Sequence, residues 1–434
     1  MKRILCAALL LCLWLAGCTA GEKDAPPDVT EAPAPQTLAV VQDGQTDFCL
    51  VCSEDAPDSI KRALPKLNAK IREKTSAAPQ IDTDWTPRGE ETDNSRREIL
   101  IGATNRDASR ALLEALPPHS YGIRVTEDKI VLAGTSDSLT MLAMYAFEDA
   151  ILNGAEGYAA DGALTLPVGL EIIRTDPAWD EFSSLVAGSY PLEGVLSDPV
   201  EIEWPAGCAA AQGAATDGTY FYTAFIRYTD SEKKHSSGVI VKTRIADGET
   251  VGTSEELPLD HANGMCYNPD DGVLITCNMD QNILTVIDPE TLGMIEQKDG
   301  ARLGFGGCYA IAYDPAHELY VTKGGGKFMY LDRSFRQVSA VTPKLYTNTE
   351  YTAQGMDADD ARIYSILSPG TKTKDNIIMV HKRNGEYEFS ISIPTGVEGE
   401  AIFHDTEGQY YFSCNNWSSR RAYIYKLTLS IVYK

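Results

Sequence analysis

One position recurs through the C-terminal half of the chain and carries side chains able to do chemistry. Gln212, Asn263, Tyr309, Gln354 and Glu400 each open a six-residue segment of similar build, ending at Asp217, Asn268, Asp314, Asp359 and Asp405. The steps between the first positions are 51, 46, 45 and 46 residues. Four of the five first residues are amides or a carboxylate, and each is followed by Gly or Ala. Brought to one point, such a ring can hydrogen-bond a sugar or a peptide, or hold a hard divalent cation such as calcium through oxygen. The same ring can instead hold itself and a few waters, closing an axis. His261, His404, Asp357 and Glu398 lie nearby in sequence. Tyr228, Tyr309, Tyr346, Tyr351 and Trp417 offer faces for stacking on a sugar, or for core and turn packing. No nucleophile–base pair and no metal-ligand spacing stands out, which favours binding over catalysis.

The elements that must position these residues follow from the repeat. Each segment precedes a strand-like run: Thr219–Arg227, Val273–Cys277, Glu318–Thr322, Arg362–Leu367 and Gln409–Cys414. A period of about 40–50 residues with several short strands per unit predicts a β-propeller, here with five blades whose first strands line a central channel. The last blade offers Glu400–Phe403, Gln409–Cys414 and Ala422–Leu429, and then the chain nearly ends. Pro199–Trp204 is expected to complete it as the fourth strand, removing free sheet edges. The charged stretch Arg227–Ser237 explains the long first step and is placed to cover one mouth. Gly304–Gly307 and Gly324–Gly326 are glycine-rich, but neither joins a strand to a helix, so a phosphate cradle is not indicated.

Residues 37–175 read as a small α/β domain, giving a mixed, predominantly β fold overall. Asp47–Cys52, Gln80–Trp85 and Glu98–Gly102 are strand-like. Ala56–Lys74 has apolar residues at helical spacing, at Ile60, Ala63, Leu64, Leu67 and Ile71. Asp107–Leu116 is a second helix, with Asn105 or Asp107 as its cap. Tyr121–Val125 and Lys129–Ala133 form a hairpin, and Ser136–Leu152 a third helix.

The first residues are a targeting segment. Lys2 and Arg3 precede the apolar run Ile4–Leu15, which is short for a membrane span. Leu15-Ala16-Gly17-Cys18 resembles a bacterial lipobox, which implies cleavage after residue 17 and a lipid on Cys18. Residues 18–36, rich in Pro, Ala and acids, read as a flexible tether to the membrane's outer face. The net charge of −24, with no basic stripe, argues against nucleic acid as a partner and suits solubility outside the cell. Of the ten cysteines, Cys6, Cys12 and Cys18 lie in or next to the signal. Cys49 and Cys52 form a C-x-x-C within a strand, so they point to opposite faces and neither pair nor share a metal. Cys266, Cys277, Cys308 and Cys414 read as small buried apolar residues, and free thiols on an exported protein suit an anaerobic habitat.

Three further resemblances rest on particular stretches. The order Glu98–Gly102, helix, Tyr121-Gly122-Ile123, Ile130–Gly134, helix resembles the non-catalytic α/β domain at the N-terminus of α-glucuronidases and some hexosaminidase-type glycosidases. That resemblance implies a protein handling carbohydrate or cell wall. It implies no glycosidase activity, since no barrel follows. Asn263-Gly264-Met265 with Leu274–Asp288 resembles a blade of lactonase-type propellers related to gluconolactonase and paraoxonase. Those hold a divalent cation with a central Glu and Asn, which Asn263 and Glu400 match, but they have six repeats where five are visible here. Gln212-Gly213 and Gly306–Asp332 resemble the five-bladed plant-type glutaminyl cyclotransferases. Where that family carries a carboxylate-rich motif in its fourth blade, this chain reads Ala353-Gln354-Gly355-Met356. The expectation is therefore a lipid-anchored protein whose propeller binds an extracellular glycan or protein ligand. The alternative is a cation-dependent hydrolase or cyclotransferase working at the same ring.

Overall fold

Short β-branched runs between polar loops build a six-stranded sheet in the N-terminal part. Its order is Gln80–Thr83, Cys49–Cys52, Glu98–Ile101, Lys129–Gly134, Ser120–Val125, Glu171–Thr175. The first four strands are parallel and the last two pair antiparallel. The computed structural model describes residues 36–175, 182–187, 190–228, 236–278, 282–344, 351–369, 374–416 and 418–434. Cys18 and the leader, Tyr346, Trp417 and most of the 227–237 stretch lie outside them.

Helix α1 (Asp58–Thr75) buries Ile60, Ala63, Leu64, Leu67 and Ile71, the stripe expected from sequence. It ends where Ser76 turns left-handed (φ 61°) and its N–H reaches Arg72 O. Helix α2 (Asp107–Ala115) departs from expectation at its start. Neither Asn105 nor Asp107 caps it; the cap position is Arg106, with no side-chain cap bond. Arg106 instead forms a buried ion pair with Glu98, Nη2 to Oε1 at 3.0 Å, and Asn105 Nδ2 donates to Asp84 O. Helix α3 (Asp137–Phe147) is capped by the Ser136 hydroxyl, which accepts from Leu139 N, and runs into a π-helical turn, Glu148–Leu152. Cys49 and Cys52 do face opposite sides of the sheet, packing against different clusters.

From Ala210 onward the backbone forms antiparallel units of four strands. The first is Ala210–Thr216, Tyr220–Tyr228, Ser236–Arg244, Thr250–Thr253. The second is Met265–Asn268, Val273–Asn278, Ile283–Ile287, Met294–Asp299. The third is Ala310–Asp314, Leu319–Gly324, Lys327–Leu331, Gln337–Val341. The remaining strands make one eight-stranded sheet: Thr352–Ala358, Arg362–Ser368, Asn376–Lys382, Tyr387–Ile393, Leu192–Ile202, Arg421–Ile431, Tyr410–Asn416, Glu398–His404. Leu192–Ile202 pairs antiparallel with Arg421–Ile431 along most of its length, and its first residues pair parallel with Ile391 and Ser392. It is therefore the fourth strand beside the last three of the chain. It starts earlier than the Pro199–Trp204 expected from sequence. The register shifts between Ser197 and Val200, where Asp198 has φ 47° and Pro199 has no N–H to donate.

The first strands touch one another in a closed cycle. Ala210–Thr216 meets Met265–Asn268, then come Ala310–Asp314, Thr352–Ala358 and Glu398–His404, which returns to Ala210–Thr216. This is a propeller-like β fold. Crowding at its axis explains the small residue after each first position: a Cβ on Gly264 would stand 2.7 Å from Ala310 Cα, and one on Gly355 2.6 Å from Glu400 O.

The last residue of each segment has its own cause. Asp217, Asn268, Asp314, Asp359 and Asp405 each accept, through Oδ1, backbone N–H groups of the turn that follows. Their second side-chain atom ties down a neighbour. Tyr222, Tyr364 and Tyr411 donate their hydroxyls to Asp217, Asp359 and Asp405. Asn268 Nδ2 donates to Tyr320 OH. The repeat is thus a strand with a crowded start and a turn made by Asp or Asn at its end.

Thr37–Lys434 forms one compact unit. A single apolar cluster runs from the N-terminal sheet and helices into the last strand. Tyr145 OH donates to Val432 O (3.1 Å), Lys66 Nζ to Tyr433 O (3.0 Å), and Tyr433 OH to Glu148 (3.1 Å).

Candidate functional site

The five recurring residues stand where the first strands begin. Gln212, Gln354 and Glu400 lie within their strands; Asn263 and Tyr309 lie just before theirs. Gln212, Asn263, Gln354 and Glu400 are buried, while Tyr309 is 44% exposed. Gln354 Nε2 donates to Glu398 Oε1 (3.0 Å). Asn415 Nδ2 donates to Glu400 Oε1 (2.6 Å) and to Ala211 O (2.8 Å), and Ala211 N returns a bond to Asn415 Oδ1. Asn415 was missed from sequence; its signal was its register, since it faces Glu398 on the neighbouring strand. Two side-chain oxygens, Gln212 Oε1 and Glu400 Oε2, are buried with no hydrogen-bond partner among the described residues. Burial holds the Glu400 carboxyl well above the usual range; Glu398 adds to this and Asn415 opposes it. Among the described residues no group of three or more His, Cys, Asp or Glu is arranged to hold a metal ion.

The other ends of the same strands carry a different arrangement. His404 Nδ1 and Asp357 Oδ2 are 2.6 Å apart, in side chains 17% and 8% exposed. Burial draws the His404 imidazole down, but Asp357, with Asp359 and Asp405 behind it, more than reverses this and lifts it to about 9. Burial also lifts the Asp357 carboxyl, against the pull of His404. The pair therefore keeps its proton through neutral pH. The His404 ring stacks on Tyr410 (centroids 5.1 Å), whose hydroxyl, with that of Tyr364, bonds Asp359.

Two hollows adjoin this pair. A cavity of about 50 Å³ is lined by Ala215, Thr216, Cys266, Tyr267, Tyr313, Asp357, Phe403 and His404 among others. These are the fourth and fifth positions of the repeated segments, so the cavity lies at the axis. A groove of about 970 Å³ shares His404, Asp405, Thr406 and Pro315 with it. The groove runs between the start of α3 (Ser136–Ser138), the short helix Phe182–Ala187 and the strand ends, lined by Asp359, Asp360, Glu407, Tyr410 and Leu427–Ser430. It combines carboxylates, hydroxyls and aromatic carbon, and its volume is that of small-molecule clefts.

The remaining sequence candidates scatter. His261 sits in the turn before Asn263, and Tyr228 ends its strand. Tyr351 lines a separate groove of about 980 Å³ with Tyr190, Glu193 and Tyr387. Gly325 and Gly326 form the tight turn of a hairpin, both at positive φ.

No protein-family model and no curated protein matches the sequence. Solved structures of distant sequence do resemble the backbone. Glutaminyl cyclase of Myxococcus xanthus is 12% identical with a TM-score of 0.42, over 56% of this chain and 100% of its own. The tail fibre of Staphylococcus aureus phage P68 is 14% identical with a TM-score of 0.41, over 56% of this chain and 53% of its own. Kuenenia stuttgartiensis hydrazine synthase is 10% identical with a TM-score of 0.29, over 48% and 55%. At these values the likenesses carry no argument about activity.

Proposed function

We propose that this chain is an exported, lipid-anchored protein whose five-bladed propeller binds a hydroxyl-rich ligand, a glycan of the cell wall or surface. In this reading residues 1–17 are removed, Cys18 carries the lipid, residues 18–36 are the tether, and the α/β domain (37–175) is docked on the propeller (176–434). The supporting observation is the groove beside His404. Sugars are held by carboxylates and amides that accept from hydroxyl pairs and by aromatic faces that cover the ring carbons. The groove supplies Asp360 and Glu407 as exposed carboxylates, and Phe182, half-buried and stacked at 3.9 Å on the buried Tyr410 ring, as aromatic carbon. Titration calorimetry with cell-wall oligosaccharides tests it. Binding that weakens in Asp360→Asn/Glu407→Gln is expected, and binding untouched by that change would reject the groove. Membrane release of a Cys18→Ser variant tests the anchor.

A second reading rests on the two buried oxygens with no partner among the described residues, Gln212 Oε1 and Glu400 Oε2. A ligand hydroxyl or a calcium ion would complete them, and a cation there would make the chain a lactonase-like hydrolase or a cyclotransferase. A rise in melting temperature on adding calcium, abolished in Glu400→Gln, would support it.

A further inference from the structure

The second and third four-stranded units belong to separate sheets, with no backbone ladder between them among the described residues. Their interface is a packed apolar cluster that includes Cys266, Cys277 and Cys308. Cys277 lies on Val273–Asn278, and Cys308 lies just before Ala310–Asp314 in the next unit. Both are fully buried. Their sulfurs are 2.6 Å apart, and Cys308 Sγ is 3.0 Å from Thr322 Oγ1. That separation is only about half an ångström longer than a disulfide bond. Two thiols read from sequence as unrelated apolar fillers are thus held face to face across a junction between units.

We propose that Cys277 and Cys308 form a disulfide that links the second and third units. The reaction is thiol–disulfide exchange. One cysteine thiolate attacks a small-molecule or protein disulfide, forming a mixed disulfide and releasing one thiol. The second cysteine then displaces the other thiol. Two protons and two electrons leave the pair, and the oxidising disulfide is reduced to two thiols. Export would supply that oxidant, because such bonds form and persist outside the cytoplasm; in this respect alone the inference rests on the proposed export. Burial raises the Cys277 thiol well above its ordinary value, so the folded core disfavours the reactive thiolate. The link therefore closes as the chain folds, before the cluster seals. Once closed it adds a covalent tie between units otherwise joined by packing and by side-chain bonds such as Asn268 Nδ2 to Tyr320 OH.

The test refolds the reduced full chain in a glutathione–glutathione disulfide buffer. The product is alkylated in denaturant without reductant and mapped as peptides. The expected result is one linked peptide pair carrying Cys277 and Cys308, about 2 Da below the sum of the two thiol peptides, with Cys266 alkylated. Alkylation of both Cys277 and Cys308, or a link that uses Cys266, would overturn the proposal. Reductant should lower the melting temperature of the linked wild type and leave that of Cys308→Ser unchanged. Alkylation at harvest from cells separates the two readings. A pair free at harvest but linked on refolding upholds the disulfide site and counts against export.

Discussion

The two ends of the inner strands are built from one repeated segment and have opposite characters. At the starts, Gln212, Asn263, Gln354 and Glu400 are packed away beside residues held to Gly and Ala by backbone crowding. At the ends, Asp or Asn makes the same turn five times, and the loops beyond differ from unit to unit. What departs from the repeat stands at that end. The fourth positions are Ala215, Cys266, Ala312, Asp357 and Phe403; the fifth are Thr216, Tyr267, Tyr313, Ala358 and His404. Asp357 and His404 are the charged exceptions, and they bond each other across two units. Recurrence marks what the architecture needs; exception marks where a propeller acquires chemistry of its own.

The sharpest break of this comparison is His404→Gln. It leaves the Asp357 carboxyl buried without its cation, at a cost of about 3 kcal/mol by urea unfolding at neutral pH. The pH dependence has a definite sign. His404 is lifted from 6.5 to about 9 in the folded state. Its contribution is therefore fully present below 6.5 and is lost as pH rises toward 9. Asp357, also lifted, works in the same direction at lower pH. Wild-type stability should fall across pH 6.5–9, and the variant's curve should be flatter there. An unchanged slope would mean that the pair does not hold its proton.

At the crowded end the expected effect is smaller but purely steric. Gly264→Ala places a Cβ 2.7 Å from Ala310 Cα and 2.8 Å from Ile311 N, backbone atoms that cannot swing away. Overpacking of this kind costs about 1–3 kcal/mol. Ligand affinity measured on the folded fraction should not change. A loss of affinity would move the site toward the strand starts.

Glu400→Gln separates the readings of that end by sign. The Glu400 carboxyl is raised by burial, so the proton it keeps stabilises the fold at low pH and that contribution fades as pH rises. The amide preserves an acceptor for Asn415 and cannot ionise. The variant should equal the wild type in acid and gain on it as pH increases. A variant weaker at every pH, with loss of a calcium-induced thermal shift, would show that the carboxylate serves a bound cation.

The fold was largely legible because repetition is visible in one sequence. The period, the strand after each segment and the closing strand near Pro199 all follow from it. The start of that strand at Leu192 was not, because Asp198 and Pro199 interrupt the pattern at a register shift. The cap of α2 was misread because Arg106 answers to buried Glu98, a partner on another strand. The site was less legible for a related reason. Reading along the first position found a ring of polar residues; reading across the fourth and fifth would have found the odd pair. Asp360 and Glu407 gave no local signal, since what gathers them with the start of α3 is the docking of the N-terminal part on the last strand.

The smallest effect on stability carries the most weight for function. Asp360 and Glu407 are exposed on loops past the turn acids, so Asp360→Asn/Glu407→Gln should change stability by less than about 0.5 kcal/mol. Each carboxylate that accepts from a ligand hydroxyl contributes on the order of a tenfold change in affinity. Calorimetry with the same saccharide should therefore show a weakened complex on an equally stable protein. Asp359→Asn, one residue earlier, is the control. Its Oδ2 accepts from Tyr364 and Tyr410 and its Oδ1 from the turn N–H groups, so it should lose stability first and affinity only as a consequence. If both variants behave alike, the groove is a by-product of the turns and the exposed carboxylates have no ligand to meet.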